Sequence, residues 1–223
     1  MALFLLSSGC ATFCATCDPT ACNLTAWPQP PKRPIWKTGQ RPPDWAVQMK
    51  HTCDVPNFYK INDHLYRSGQ PTECGLKQLE EMKIKTIIDL REKVLPWTKD
   101  EEVLGRLTIK RVSMNAGFIK DDEVTKKAVL KVISILTDKA NWPVLIHCQH
   151  GSDRTGLMCA IYRILPEKYK VQNKEQDKKE PQWPKNKAID EMVNGGYGFH
   201  YDFFSNIIDY IESVDINALN LES

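Results

Sequence analysis

The residues best suited to chemistry lie in the stretch HCQHGSDRTG, which runs from His147 to Gly156. Within it, five residues separate Cys148 from Arg154. A cysteine thiolate is a nucleophile, and the planar guanidinium of an arginine binds two oxygens of an anion at once. The pair therefore predicts nucleophilic attack on a bound oxyanion, and phosphate fits both groups.

The sequence around this stretch indicates how the loop would be shaped. PVLIHC predicts a buried strand that ends at Cys148, and an apolar helix is predicted from Arg154 onwards. A strand–loop–helix unit directs backbone N–H groups and the positive end of the helix dipole at a bound phosphate. The same field favours the thiolate of Cys148 over its thiol.

Other residues of the loop have predicted supporting roles. Thr155 at the helix start can donate to the sulfur, His147 can bond a backbone carbonyl, and Gly151 and Gly156 permit close backbone approach. The alternative is a buried cysteine in an ordinary turn, with Arg154 as a surface charge. The predicted phosphate-binding set comprises Gln149, His150, Gly151, Ser152, Asp153 and Arg154.

These residues carry a family resemblance. HCQHGSDRTG resembles the phosphate loop of the cysteine-dependent protein tyrosine and dual-specificity phosphatases. LYRSGQPT, TIIDLR and GGYGF resemble the compact bacterial and plant-type members, and the similarity runs from residue 57 to residue 214. The resemblance implies a phosphocysteine intermediate on Cys148, transition-state binding by Arg154 and hydrolysis by water, with no metal or other cofactor.

A carboxyl group on the far side of the phosphate must protonate the leaving oxygen. The family takes this acid from a separate loop upstream of the cysteine, and the family's spacing falls on Asp121, with Asp122 beside it. The alternative is that both residues only cap the helix predicted to begin there. We expect Asp121 to be the acid.

Asp153 is the rival acid. The ending DRT resembles myotubularin-type, Sac-type and bacterial lipid-and-tyrosine phosphatases, in some of which the loop aspartate is the proposed acid. An ionised carboxylate that faced the bound dianion would weaken binding. We therefore expect Asp153 to point away from the phosphate, accepting loop N–H groups or pairing with Arg91 or another base.

The substrate class is less well determined. Gln149, His150 and Ser152 stand where inositide-preferring enzymes often carry lysines, although a histidine can supply positive charge at acidic pH. Arg67 and Arg91 end predicted strands and either touch substrate or form structural salt bridges. Phosphotyrosine, phosphoserine or phosphothreonine in protein is the expected substrate. Inositol phosphate (phytate) or phosphoinositide is the alternative, and a non-catalytic phosphate-binding module is the third hypothesis.

The order of the elements predicts an α/β fold, with a central, mostly parallel sheet flanked by helices. FYKI and LYRS predict a hairpin, TIIDL and TIKRVSM further strands, and TKDEEVLGRL a short helix. Thr72 is the predicted N-cap of a helix whose buried face includes Met82. Val124 is assigned to the buried face of the helix after Asp122, and two more helices follow within residues 186–213.

The N-terminal region is richer in proline and cysteine than the rest of the chain. Residues 1–50 are the predicted arm, 51–216 the phosphatase domain and 217–223 a tail. Cys10, Cys14, Cys17 and Cys22 favour disulfides over a metal site, which places the protein in the cell envelope, the periplasm or outside the cell. LLSSGC resembles a bacterial lipoprotein signal that would tether Cys10 to a membrane, although Ser7 departs from that pattern.

Composition excludes other classes of protein. The formal net charge of +2 is too small to indicate nucleic acid as a partner. No apolar run approaches the roughly 18 residues of a membrane span. We expect a monomer that acts on a phosphorylated protein or an inositol phosphate.

Overall fold

A computed structural model of the protein describes residues 41–49, 54–93, 104–170, 172–173, 178–179 and 181–219. These residues contain one sheet of six strands, in the spatial order β1-β2-β3-β6-β4-β5, and a separate two-stranded ribbon. The strands of the sheet are β1 (Val47–Gln48), β2 (Tyr59–Lys60), β3 (Leu65–Ser68), β4 (Thr86–Asp89), β5 (Thr108–Arg111) and β6 (Val144–His147). The ribbon pairs β7 (Gln172–Asn173) with β8 (Lys178–Lys179).

The central part of the sheet is parallel, as predicted. β6 pairs in parallel with both β3 and β4, and β4 pairs in parallel with β5. The antiparallel pairs lie at the other edge, where β2 and β3 form the expected hairpin and β1 adds to β2. The predicted α/β architecture is therefore confirmed.

Five α-helices cover the two faces of the sheet in the described part of the chain. Successive residues of a strand point to opposite faces, so Ile87 and Leu145 pack with α1, whereas Ile88 and Ile146 belong to the larger core on the other side. None of these helices is both long and apolar enough to span a membrane. Their bounds are α1 (Glu73–Glu81), α2 (Glu123–Thr137), α3 (Asp153–Ile164), α4 (Lys185–Asn194) and α5 (Tyr201–Ser213).

Local sequence signals set the starts of the first two helices. Thr72 caps α1 by accepting a hydrogen bond from the Gly75 N–H, and Asp122 caps α2 through the Thr125 N–H. Two predicted core positions are wrong: Met82 and Val124 are exposed, because Met82 follows the last turn of α1 and Val124 faces solvent in the first turn of α2. The predicted helix TKDEEVLGRL lies largely outside the described residues.

The described end of the predicted N-terminal arm packs against the domain. Trp45 and Ala46 are buried, and Val47–Gln48 joins the sheet as β1. At the other end, Leu219 of the predicted tail is buried in the main core. The predicted lipidation site and the four clustered cysteines fall outside the described residues. Within them, Cys74 of α1 is disulfide-bonded, whereas Cys148 and Cys159 are free thiols.

A buried ion pair joins α3 to α4. Arg163 Nε donates to Glu191 Oε2 at 2.9 Å, and both side chains are about 95% buried. Burial by itself would raise the pKa of Glu191, but Arg163 and the N–H of Ala46 hold it below its usual value. Glu191 thereby fixes residues 41–46 to the two helices.

Replacing Arg163 with Met should strongly destabilise the protein, because it leaves Glu191 buried without its cation. We expect urea unfolding to show a loss of about 3–5 kcal/mol in the free energy of unfolding. The matched control is Arg106→Met, which breaks the exposed pair with Glu80 and should cost less than about 1 kcal/mol. Equal losses in the two variants would contradict this assignment of the buried pair.

Candidate active site

The candidate nucleophile lies where the central strand ends. β6 finishes at His147, Cys148 follows it as a buried residue, and α3 begins five residues later at Asp153. Gly151 in the connecting loop has φ of +75°, a left-handed conformation that favours glycine. A Cβ at Gly151 would lie 2.5 Å from the backbone nitrogen of Gly69, just after β3. Both the left-handed backbone conformation and this close approach therefore require glycine at position 151.

The carbonyl groups of the loop are turned outward, and each has a donor. His147 Nδ1 lies 3.1 Å from the Cys148 carbonyl oxygen, and the backbone N–H of Gln70 donates to that of Gln149 at 3.0 Å. The remaining three donors are Asn57 Nδ2 to His150 O at 2.9 Å, Arg67 Nη2 to Gly151 O at 2.7 Å, and Gly156 N to Ser152 O at 2.8 Å.

Several backbone N–H groups of the loop have no acceptor within the part of the chain that the structure describes. Among the described residues, no acceptor bonds the backbone N–H of residue 149 or of residues 151–154. Unpaired N–H groups are rare in the folded part of a protein unless they serve a ligand. The arrangement therefore provides a cluster of donors at the N-terminus of α3, the site at which an anion is most readily held.

Arg67 and Tyr197 support the loop from behind. The Arg67 guanidinium, 1% exposed, lies 3.6 Å from the centre of the Tyr197 ring. The Tyr197 carbonyl accepts hydrogen bonds from Ser152 Oγ at 2.7 Å and Asn57 Nδ2 at 2.9 Å. Among the described residues, Arg67 bonds the loop backbone and makes no salt bridge.

His147 belongs to a buried polar network under the loop. Its Nε2 lies 3.9 Å from Asp89, which also pairs with Arg91 and Arg111 at 3.0 and 2.9 Å. Burial lowers the pKa of His147 to about 4 although Asp89 opposes the shift. His147 is therefore neutral at physiological pH. Arg91 is bound to Asp89, the last residue of β4, and does not pair with Asp153.

The carboxylate of Asp153 is bound to His200, the residue immediately before α5 in the sequence. Its Oδ1 accepts the backbone N–H of His200 at 2.9 Å, and its Oδ2 lies 2.9 Å from His200 Nδ1. Asp153 is buried, and the His150 ring lies edge-on to His200 with centroids 5.9 Å apart. The base that pairs with Asp153 is thus a histidine from a distant part of the chain.

Two further side chains complete the phosphate loop. Thr155 is fully buried and its Oγ1 has no hydrogen-bond partner among the described residues, so this hydroxyl has a proton to offer. Arg154 is half-buried and its Nη1 makes only long contacts, 3.3 Å to Met114 O and 3.5 Å to Leu90 O. Gly156 has a packing role, because a Cβ there would lie 2.9 Å from Met192 Cγ of α4.

The candidate acids lie between a 3-10 turn (Ala116–Phe118) and α2. Asp122 Oδ1 accepts the Thr125 N–H at 2.8 Å, which occupies it as a helix cap and lowers its pKa. Asp121 is exposed and makes no hydrogen bond with the described residues, so its carboxyl group is available. Met114, which contacts Arg154, precedes this segment and connects it to the loop.

Sequence reasoning did not identify four residues that shape the site: Asn57, Tyr197, His200 and Asn206. Tyr197 lies in GGYGF, whose resemblance to the family was a usable signal. The other three act through side-chain contacts with residues far away in sequence, and a single sequence offers no signal for such contacts.

A family model for a dual-specificity and protein tyrosine phosphatase domain, described as the DSP-PTPase phosphatase fused to NAD+ kinase, matches residues 43–194. The dual specificity protein phosphatase TpbA of Pseudomonas aeruginosa is 29% identical over 81% of this chain and 72% of its own length. The inositol diphosphatase DSP5 of Arabidopsis thaliana is 33% identical over 53% of this chain and 55% of its own.

Solved structures show the same relationship. A crystal structure of P. aeruginosa TpbA is 28% identical, has a TM-score of 0.61, and covers 82% of this chain and 98% of its own. A cysteine-to-serine variant of TpbA in complex with phosphotyrosine has a TM-score of 0.60 at 28% identity, covering 82% of this chain and 97% of its own.

Replacing Asp153 with Asn should affect stability more than proton transfer, because Asp153 holds His200. Loss of the charged hydrogen bonds should cost about 2 kcal/mol of unfolding free energy, while kcat for an aryl phosphate falls less than about tenfold and the high-pH limb of its pH profile persists. Asp190→Asn on the exposed face of α4 is the control. If Asp153→Asn abolishes turnover and Asp121→Asn leaves it unchanged, Asp153 is the acid.

Proposed function

Since the chain belongs to the family of dual-specificity and protein tyrosine phosphatases and is a phosphatase, we propose that it hydrolyses phosphomonoesters in proteins through a phosphocysteine intermediate on Cys148. The observation that carries the proposal is the cluster of unbonded N–H groups above a buried cysteine at the N-terminus of α3. Phosphate oxygens are the acceptors that such a cluster fits.

The first chemical step transfers the phosphoryl group to the protein. The Cys148 thiolate attacks phosphorus, a sulfur–phosphorus bond forms and the bond to the leaving oxygen breaks. The loop N–H groups and the Arg154 guanidinium bind the non-bridging oxygens. These hydrogen bonds stabilise the negative charge on those oxygens more strongly in the transition state than in the bound substrate. We assign to Asp121 the transfer of a proton to the leaving oxygen.

The second step regenerates the thiolate. Water attacks the phosphocysteine, Asp121 accepts a proton from it, and inorganic phosphate leaves. The unpaired hydroxyl of Thr155 can donate a hydrogen bond to the Cys148 sulfur as negative charge returns to it.

The charge and shape of the rim favour phosphotyrosine over a polyanion. Burial, followed by the neighbouring His200, lowers the pKa of His150, so this ring adds little positive charge at neutral pH. Phe118 and Phe203, on the acid segment and on α5, are 72% and 79% exposed. Exposed aromatic rings suit an aryl leaving group. TpbA has been crystallised with phosphotyrosine, which supports the same choice.

Inositol phosphate is the second candidate substrate. The inositol diphosphatase DSP5 is among the relatives of this chain, and Lys120 and Lys127 add exposed positive charge beside the acid segment. One phosphate of an inositol ring would occupy the same loop, so the chemistry on Cys148 would be unchanged.

We also propose that the protein works in an oxidising compartment such as the periplasm. The disulfide bond of Cys74 supports this, because disulfides persist in exported proteins and are rare in the cytosol.

Replacing Cys148 with Ser should lower kcat for an aryl phosphate at least about 10³-fold, because a serine hydroxyl is a far weaker nucleophile at neutral pH. Acid quench of the native protein during turnover should leave phosphate on the peptide that contains Cys148. Cys159→Ala is the control, since Cys159 is the other buried free thiol and has no assigned role. Full activity of Cys148→Ser would refute the mechanism.

A substrate panel should separate the two candidate substrates. Phosphate release from a phosphotyrosine peptide should exceed release from phytate or a phosphoinositide at least about tenfold in kcat/KM, since the loop has no lysine to bind further phosphates. The same assays with Cys148→Ser measure background hydrolysis, which is subtracted from the rates of the native protein. Faster release from phytate would assign the chain to inositol phosphates.

A further inference from the structure

One amide side chain on α5 is bonded to the segment that carries Asp121. Asn206 Nδ2 donates to the carbonyl oxygens of Ala116 and Ile119, each at 2.9 Å. The same nitrogen therefore bonds both ends of the 3-10 turn. The second of these bonds is to Ile119, two residues before the proposed acid Asp121. An amide NH₂ has two protons, and this geometry uses both of them.

The other hydrogen bonds of this turn within the described residues are local, and its two buried residues pack in the main core. Gly117 and Phe118 are exposed, and Ala116 and Ile119 are the buried apolar residues of the segment. Asn115 Oδ1 accepts the Gly117 N–H at 3.1 Å, and the Lys120 N–H reaches Thr125 Oγ1 at 3.4 Å. The bonds from Asn206 connect the segment to a different element of the fold.

A second residue of α5 faces the same segment. Tyr210 lies one turn beyond Asn206 and is buried. Burial, and then the nearby carboxylates of Asp121 and Asp122, raise the pKa of Tyr210 to about 12. The face of α5 that carries Asn206 and Tyr210 is thus the face turned towards the acid segment.

The N-terminal end of α5 is fixed to the phosphate loop. His200, which precedes the helix, is bound to Asp153 through its backbone N–H and its ring. The chain therefore has one attachment to the loop of the nucleophile at His200 and, six residues later, one attachment to the segment of the acid at Asn206, with a kink in the helix at Phe204 between them.

We propose that Asn206 is a positioning residue for the general acid: through its two hydrogen bonds, α5 sets the position of Asp121 relative to a phosphate on Cys148. This inference rests on the proposed function. Proton transfer requires hydrogen-bond reach between the acid and the leaving oxygen, and a displacement of about 1 Å can cost 10²-fold in rate. Asn206 itself touches neither substrate nor reacting atoms.

The test compares leaving groups in the full-length protein. Asn206→Leu keeps the size of the side chain and removes both donors. We expect kcat to fall at least about tenfold for phenyl phosphate, whose leaving oxygen needs a proton, and less than about twofold for p-nitrophenyl phosphate, whose leaving group departs readily as an anion. KM should be unchanged. Ser213→Ala, at the far end of the same helix, is the control and should match the native protein.

A double substitution separates positioning from general damage. In the Asp121→Asn background, Asn206→Leu should have no further effect on kcat, because its effect acts through Asp121. Equal losses for both leaving groups, or additive losses in the double variant, would overturn the inference. If Asn206→Leu does not fold, as judged by circular dichroism, Asn206→Ser gives the same comparison, since its shorter side chain cannot reach both carbonyls.

These outcomes distinguish the inference from the function on which it rests. If Cys148→Ser retains activity, the proposed mechanism fails. If Cys148→Ser is inactive but Asn206→Leu shows no dependence on the leaving group, the mechanism stands and the positioning role is wrong.

Discussion

A loop that directs its N–H groups at an anion must turn its carbonyl groups away from it, and each of those carbonyls then requires a donor. Here five consecutive carbonyls, from Cys148 to Ser152, are satisfied by five different groups. Two of these donors, Gln70 and Asn57, come from near the β2–β3 hairpin, and a third, Arg67, lies on β3. The elements around the phosphate loop are arranged to meet this requirement.

The requirement explains why a buried arginine is tolerated. Arg67 is removed from water, which is costly for a charge unless it is bonded. It gives one hydrogen bond to Gly151 and lies on the face of Tyr197, and aromatic faces attract guanidinium groups. The Tyr197 hydroxyl in turn bonds both Glu191 and Arg41. Residues 41–46 thereby become part of the support of the loop.

The two aspartates near the site have different environments, and these suit different roles. Asp153 is buried and bound at both oxygens, so its carboxylate is engaged in holding His200. Asp121 is exposed and unbonded within the described chain, which suits the proton transfer that we propose for it. Asn206 of α5 bonds the acid segment, and His200 immediately before α5 bonds Asp153 of the loop, so this helix is one of the connections between the two regions.

The loop motif and the order of the elements were enough to predict the phosphatase family and the α/β architecture. Cys148 and Arg154 lie in one loop, and the strand before it and the helix after it are strongly apolar, so local sequence suffices to place the loop between them. The predicted cap at Thr72 is confirmed, whereas the sequence left Asp121 and Asp122 open as the cap of α2 and the structure has Asp122. Only the tertiary structure decided the partner of Asp153, the donors behind the loop and the contact of Asn206 with the acid segment. Those depend on side chains up to about 90 residues apart meeting in space, and their geometry follows from packing of the whole domain rather than from any local preference.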